Sequence, residues 1–153
     1  MNSMPVNQVV DHLTEAGPLT PERFSQKLGV ALATGEVNPY WNFFTFELPA
    51  GPFARGELRL NTDGNAALLS LVPRDPPGLT VANVDRAALG PRTGMRPNPS
   101  IPPEGIETEY FQRGNVEVAT QWWRTSRKLR SLVLKWAPPA SAAAPTAGTP
   151  SPN

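Results

Sequence analysis

Cysteine is missing from this chain. That excludes disulfides, a thiolate metal site and a cysteine nucleophile. Histidine occurs once, as His12. No glycine-framed serine accompanies it, so a nucleophilic triad has no parts to draw on. His12 reads as a solvated residue on a helix surface. Charge of either sign is scarce: 18% of residues are charged, and the net charge is +1 over 153 residues. Bulk charge therefore does not mark a nucleic-acid binder. No apolar run approaches the roughly 18 residues of a membrane span. The start, MNSMPVNQVVDHLTEAG, lacks a basic segment followed by an apolar one, so no secretory signal is expected. The expected location is cytoplasmic.

Phosphate and metal motifs are also lacking. GVALATG (29–35) has two glycines but no Lys-Ser/Thr after them. NTDGN (61–65) lacks the distal glutamate of a calcium loop and reads as a hairpin turn. Glu107 and Glu109 would share a strand face, but glutamates set opposite arginines are a commoner arrangement than an acid/base pair. No cofactor and no enzyme activity are expected.

Proline is abundant, with 19 residues. The last stretch, APPASAAAPTAGTPSPN, has no charge and no large side chain. It cannot offset the entropy of ordering, so residues 137–153 are expected to be a disordered Pro/Ala-rich tail. PRTGMRPNPSIPPEG (91–105) is expected to be a long extended loop.

Between these lie periodic segments. Val6, Val9, Val10 and Leu13 follow helical spacing. LTPERFSQKLG follows, with Thr20 as N-cap, Pro21 at the first helical position, and Leu19 and Phe24 placed for a hydrophobic staple. YWNFFTFEL (40–48), ARGELRLN (54–61) and AALLSLVP (66–73) read as strands. LTVANVDRAALG (79–90) repeats the second helix's opening sixty residues later, and ETEYFQRG, VEVAT and LVLKW give later strands. The predicted class is α+β, with two units of helix plus three-stranded antiparallel meander and the helices on one sheet face. Residues 1–78 form the first unit and 79–136 the second. The spacing fits either an internal duplication or an ordinary α+β domain with evenly placed elements.

The densest unusual segment is QWWRTSRKLRSLVLKW (121–136), with three tryptophans among basic residues. Trp122 and Trp123 must point to opposite sides of a regular strand. Leu132, Leu134 and Trp136 share one face and belong to the core. Aromatics beside arginines dominate protein-interface hot spots. They also stack bases in single-stranded nucleic acid, but Glu104, Glu107, Glu109 and Glu117 nearby would offset the basic field. Partner contacts are thus expected at Tyr40, Trp41, Tyr110, Trp123, Arg124, Arg127 and Arg130.

The LTPERFSQKLG helix with its YWNFFTFEL strand, followed by LTVANVDRAALG with the later strands, resembles the β-lactamase inhibitor protein type of fold over residues 5–136. A single unit is similar to a small outer-membrane assembly lipoprotein family. This chain departs from secreted members: it has no lipobox cysteine, no signal sequence and no cysteine pairs. The resemblance implies a cytoplasmic relative that inhibits a partner protein, such as a toxin or secreted enzyme. Immunity proteins of bacterial competition systems fit the same size and composition. A secretion or effector chaperone, or a single-stranded nucleic-acid-binding module, is the alternative.

Overall fold

A computed structural model of the chain describes residues 5–15, 19–100 and 104–137. Two short helices precede eight antiparallel strands. Helix α1 is Pro5–Thr14 and α2 is Pro21–Leu28. The strands are β1 Ala33–Val37, β2 Trp41–Glu47, β3 Phe53–Asn61, β4 Ala67–Pro73, β5 Arg92–Asn98, β6 Ile106–Arg113, β7 Val116–Trp123 and β8 Leu129–Trp136. All eight belong to one sheet in the order β1-β2-β3-β4-β8-β7-β6-β5.

This corrects the expectation of two helix-plus-three-strand units. Each half of the chain supplies four strands, and the sheet dominates. No helix forms over 79–90; two 3-10 turns, Val81–Asn83 and Arg86–Leu89, stand there instead. The residues explain it. The Asn83 side chain accepts from the Thr80 backbone N–H at 2.8 Å, and β-branched Val81 and Val84 with Asp85 favour local bonding over helix. Strand β1 is an addition, because ATGEV gave no strong strand pattern. The loop expected from Pro91 also begins as a strand. Extended proline-rich backbone is close to β geometry, and Pro97 is tolerated because β5 is an edge. The tail expected at 137–153 lies, apart from Ala137, outside the described residues, as do residues 101–103 of the Pro-rich loop.

Local signals set the helices. The Thr20 side chain accepts from Arg23 N–H at 3.1 Å, and Pro21 occupies the first turn. Gly29 ends α2 in the left-handed region, φ 73°, and donates to the Ser25 carbonyl. Val6, Asn7, Val10 and Leu13 form the buried stripe of α1. The Phe24 ring meets Trp136 edge-on at 5.3 Å.

Register decides which side chains the helices cover. Phe44, Leu58, Leu69, Leu134, Val118 and Phe111 stand side by side across β2, β3, β4, β8, β7 and β6. This face is packed with Val6, Val10, Leu13 and Phe24 into one core. Because β4 pairs with β8 at the sheet centre, the chain must travel from the centre to the far edge before starting β5. The connection does so on the covered side, burying Leu79, Val84 and Leu89. Leu129 N–H donates to the Leu79 carbonyl at 2.8 Å. Asn7 clasps this connection to α1: its amide donates to the Asp85 carbonyl at 2.9 Å and its oxygen accepts from Asp85 N–H at 2.6 Å. No helix among the described residues is long and apolar enough to cross a membrane.

Candidate functional site

Among the described residues, no element covers the opposite face of the sheet. One row of residues crosses all eight strands there: Ala33, Thr45, Glu57 and Ser70 from the first half, then Val133, Ala119, Tyr110 and Gly94. The middle of the row is small. Ser70, Val133 and Ala119 present little bulk where a solvent-facing strand usually carries long charged side chains. On this face Ala119 is 6% exposed and Ser131 8%. Ala119 lines a small concavity and Ser131 the larger one beside it.

That concavity is a groove of about 670 Å³. Its lining runs from Ala33 on β1 to Gln121 on β7. By strand spacing those strands lie about 24 Å apart, so the groove runs across the strands and not along one of them. Ser70, Val72 and Val133 form the floor, with Glu47, Arg55 and Glu57 on one side and Arg130 and Gln121 on the other. A smaller cavity of about 200 Å³ continues past Gln121 and Val133 to Tyr110, Glu117 and Lys135.

A bulge aims the far wall. The β7–β8 register shifts between Gln121 and Trp122, which brings Arg130 to the open face beside Ser131. Arg130 NH1 donates to Gln121 Oε1 at 2.8 Å, and Ser131 Oγ donates to the same oxygen at 2.5 Å. The Arg130 guanidinium lies over the Trp123 ring, 5.6 Å from its centroid. Arg59 lies similarly over Phe43 at 4.9 Å.

The residues expected to contact a partner do not form one patch. Trp122 and Trp136 are buried on the covered face; the Trp122 indole donates to Thr120 Oγ1 at 2.9 Å. Trp123, Arg130 and Tyr110 lie on the open face, in or beside the groove. Trp41 shares that face but sits at its other corner, roughly 30 Å from Trp123 by strand spacing and rise. Tyr40 is at the same corner, 70% exposed. Arg124 is exposed on the β7–β8 turn, where its N–H donates to the Gly105 carbonyl. The Arg127 guanidinium binds Glu107 at 2.6 Å, and Glu107 stands in register with buried Trp122 on the covered side.

The glutamates near this hairpin are occupied as well. Glu104 accepts from the Thr125 and Ser126 backbone N–H groups, fixing the turn. Glu109, 5% exposed, is held on the covered side by Arg86 at 3.1 Å and Arg92 at 3.0 Å. His12 is tied to the Lys27 carbonyl at 2.8 Å.

Sequence reasoning missed the groove residues Glu47, Arg55, Glu57, Ser70, Val72, Gln121 and Val133. A signal existed. In AALLSLVP the residues alternating with the core positions are Leu68, Ser70 and Val72, none of them charged. A central strand with uncharged residues on an uncovered face has a face kept for something else. Comparison of the chain with protein-family models, with curated proteins and with solved structures found no match.

Proposed function

We propose that the chain is a protein-binding module of the inhibitor or immunity type, acting in the cytoplasm, which receives a protruding segment of its partner in the groove of the uncovered sheet face. The observation that carries this reading is the groove itself: about 670 Å³ with a floor of small or apolar side chains and charged groups along its walls. Interfaces that bind tightly have a desolvated centre and a polar rim. A flat solvated face, with long charged residues at its centre, would offer neither.

Among the described residues, Glu47, Arg55 and Glu57 make no ion pair with one another or with any other group. They are available to a partner. The nucleic-acid alternative draws less support from this face, because Glu47, Glu57 and Glu117 interrupt its basic residues.

The test is to fill the groove without touching the core. Ser70→Trp places an indole over the floor, and Glu22→Arg on α2 serves as a control on the other side. Both chains should fold by circular dichroism. Cross-linked partner recovered from the native host should be retained by Glu22→Arg and lost by Ser70→Trp. Equal recovery by the two variants would remove the reading. Binding of a labelled single-stranded oligonucleotide, steeply weakened by salt, would replace it with the alternative.

A further inference from the structure

We infer that the groove contains a built carboxylate-binding subsite, centred on Arg130, and that the segment it receives carries an aspartate or glutamate. This rests on the groove being the docking surface and goes further by naming what enters it.

Three observations converge on Arg130. It is positioned before any ligand arrives: Gln121 Oε1 takes one of its N–H donors at 2.8 Å, and its Cζ lies over the Trp123 ring, 5.6 Å from the centroid. Gln121 is itself locked by the second hydrogen bond from Ser131 Oγ. A guanidinium has five donors in a planar fork, so most of Arg130's donors remain unused. No carboxylate among the described residues pairs with Arg130.

Arg86, Arg92, Arg113 and Arg127 have a carboxylate partner; of those without one, Arg55, Arg59, Arg96 and Arg124 are exposed and Arg74 binds backbone carbonyls. Arg130 is half-buried, oriented and unneutralised in the wall of a groove. Such an arginine is suited to two-point carboxylate recognition. Its pre-set orientation lowers the ordering cost of binding.

The charges that line the groove balance, Arg55 and Arg130 against Glu47 and Glu57, so the preference for a carboxylate comes from the orientation and free donors of Arg130 and not from net charge. Arg55 stands in register with Val72 on the facing side of the floor. An acidic side chain at Arg130 faces a wall where Arg55 stands between Glu47 and Glu57, while the residues flanking it rest on Val72 and Val133.

The probe is the acetylated, amidated tripeptide Gly-Asp-Gly, with Gly-Asn-Gly as its neutral match. The full chain is titrated with each while the Trp123 indole N–H resonance is followed. The aspartate peptide should shift it saturably with a millimolar dissociation constant, and the asparagine peptide should not. Arg130→Gln should weaken binding by at least about tenfold. Arg130→Lys should fall between, since it keeps the charge and loses the fork. Arg113→Gln, on the helix side of the sheet where Arg113 pairs with Asp11, should bind as the parent chain does. Equal shifts with both peptides, an undiminished shift in Arg130→Gln, or no saturation up to about 50 mM would each overturn the subsite. If Ser70→Trp loses the native partner while the aspartate peptide fails to titrate, docking in the groove stands and the carboxylate does not. If the peptide titrates but Ser70→Trp keeps its partner, the subsite stands and the docking surface lies elsewhere.

Discussion

The two faces of this sheet differ by a single step along each strand. Phe44, Leu58, Leu69, Leu134, Val118 and Phe111 make one row; the next residues toward the opposite face, Thr45, Glu57, Ser70, Val133, Ala119 and Tyr110, make the other. The first row is large and apolar, and α1, α2 and the 74–91 connection bury it. The second is small at its centre, where it lines the groove. Bulk on one face and little on the other lets helices seat on the first while the second stays hollow. The hollow is therefore a consequence of side-chain size as much as of missing cover.

Substitution of neighbours in the chain that face opposite ways tests the difference most strongly. Leu69 is fully buried and Leu134 stands opposite it. Leu69→Ala should cost about 2–5 kcal/mol of folding stability, from lost burial plus the cavity left behind. Ser70→Ala, one residue on, should change stability by less than about 0.5 kcal/mol. Urea unfolding of the two variants measures both. Similar losses would mean that the uncovered face is as much a core as the covered one.

The next effect concerns what closes the covered face over the second half of the sheet. Asn7 is 4% exposed and forms two hydrogen bonds to Asp85 backbone groups. Asn7→Ala removes both bonds, leaving the Asp85 N–H without this acceptor while its carbonyl keeps the Ala88 N–H, so a loss of about 1–2 kcal/mol is expected. Amide exchange should quicken at Val84 and Ala88, whose N–H groups hold the two 3-10 turns. Exchange unchanged there would show that Leu79, Val84 and Leu89 hold the connection without the clasp.

The covered face was legible because its pattern is local. Alternation in ARGELRLN and VEVAT marks core positions directly, and Thr20, Pro21 and Gly29 bracket α2. The division between Trp122 inside and Trp123 outside follows from strand geometry alone. Strand order was not legible. A meander reading keeps sequence neighbours adjacent, and nothing local says that β8 returns to pair with β4 at the centre. The second unit's helix was expected because Leu79-Thr80 copies Leu19-Thr20. A shared start does not supply helix-forming residues after it. The groove stayed hidden for a related reason. Arg130 reaches it through a bulge that shifts the β7–β8 register, and perfect alternation cannot reveal that shift. Arg127 looked equivalent to Arg130 in sequence. Only the register shows Glu107 waiting for it on the other side.

A smaller effect separates stability from recognition on the open face. Arg130→Gln removes a cation–π contact of about 0.5–1 kcal/mol and a hydrogen bond that glutamine can partly replace. Its unfolding midpoint should stay close to the parent's, even as aspartate-peptide binding falls. A large drop in stability would identify Arg130 as a structural support for Trp123.

The smallest effect lies at the rim of the covered face, where α1 and α2 are joined by charge. Lys27 Nζ binds Glu15 Oε1 at 2.5 Å. That hydrogen bond first, and the Lys27 charge second, hold the Glu15 carboxyl below its ordinary value. A carboxyl with a lowered native pKa contributes stability above its unfolded value, and the contribution disappears as pH falls through the native one. Glu15 is solvent-exposed, so screening keeps the contribution small. Glu15→Gln should thus match the parent most nearly at low pH and be slightly less stable at neutral pH. Thermal midpoints of both chains, followed from neutral pH down to about pH 3, should converge on acidification. A constant gap would assign the difference to helix packing rather than to the ion pair. High salt should close the neutral-pH gap as acid does, because both remove the same attraction.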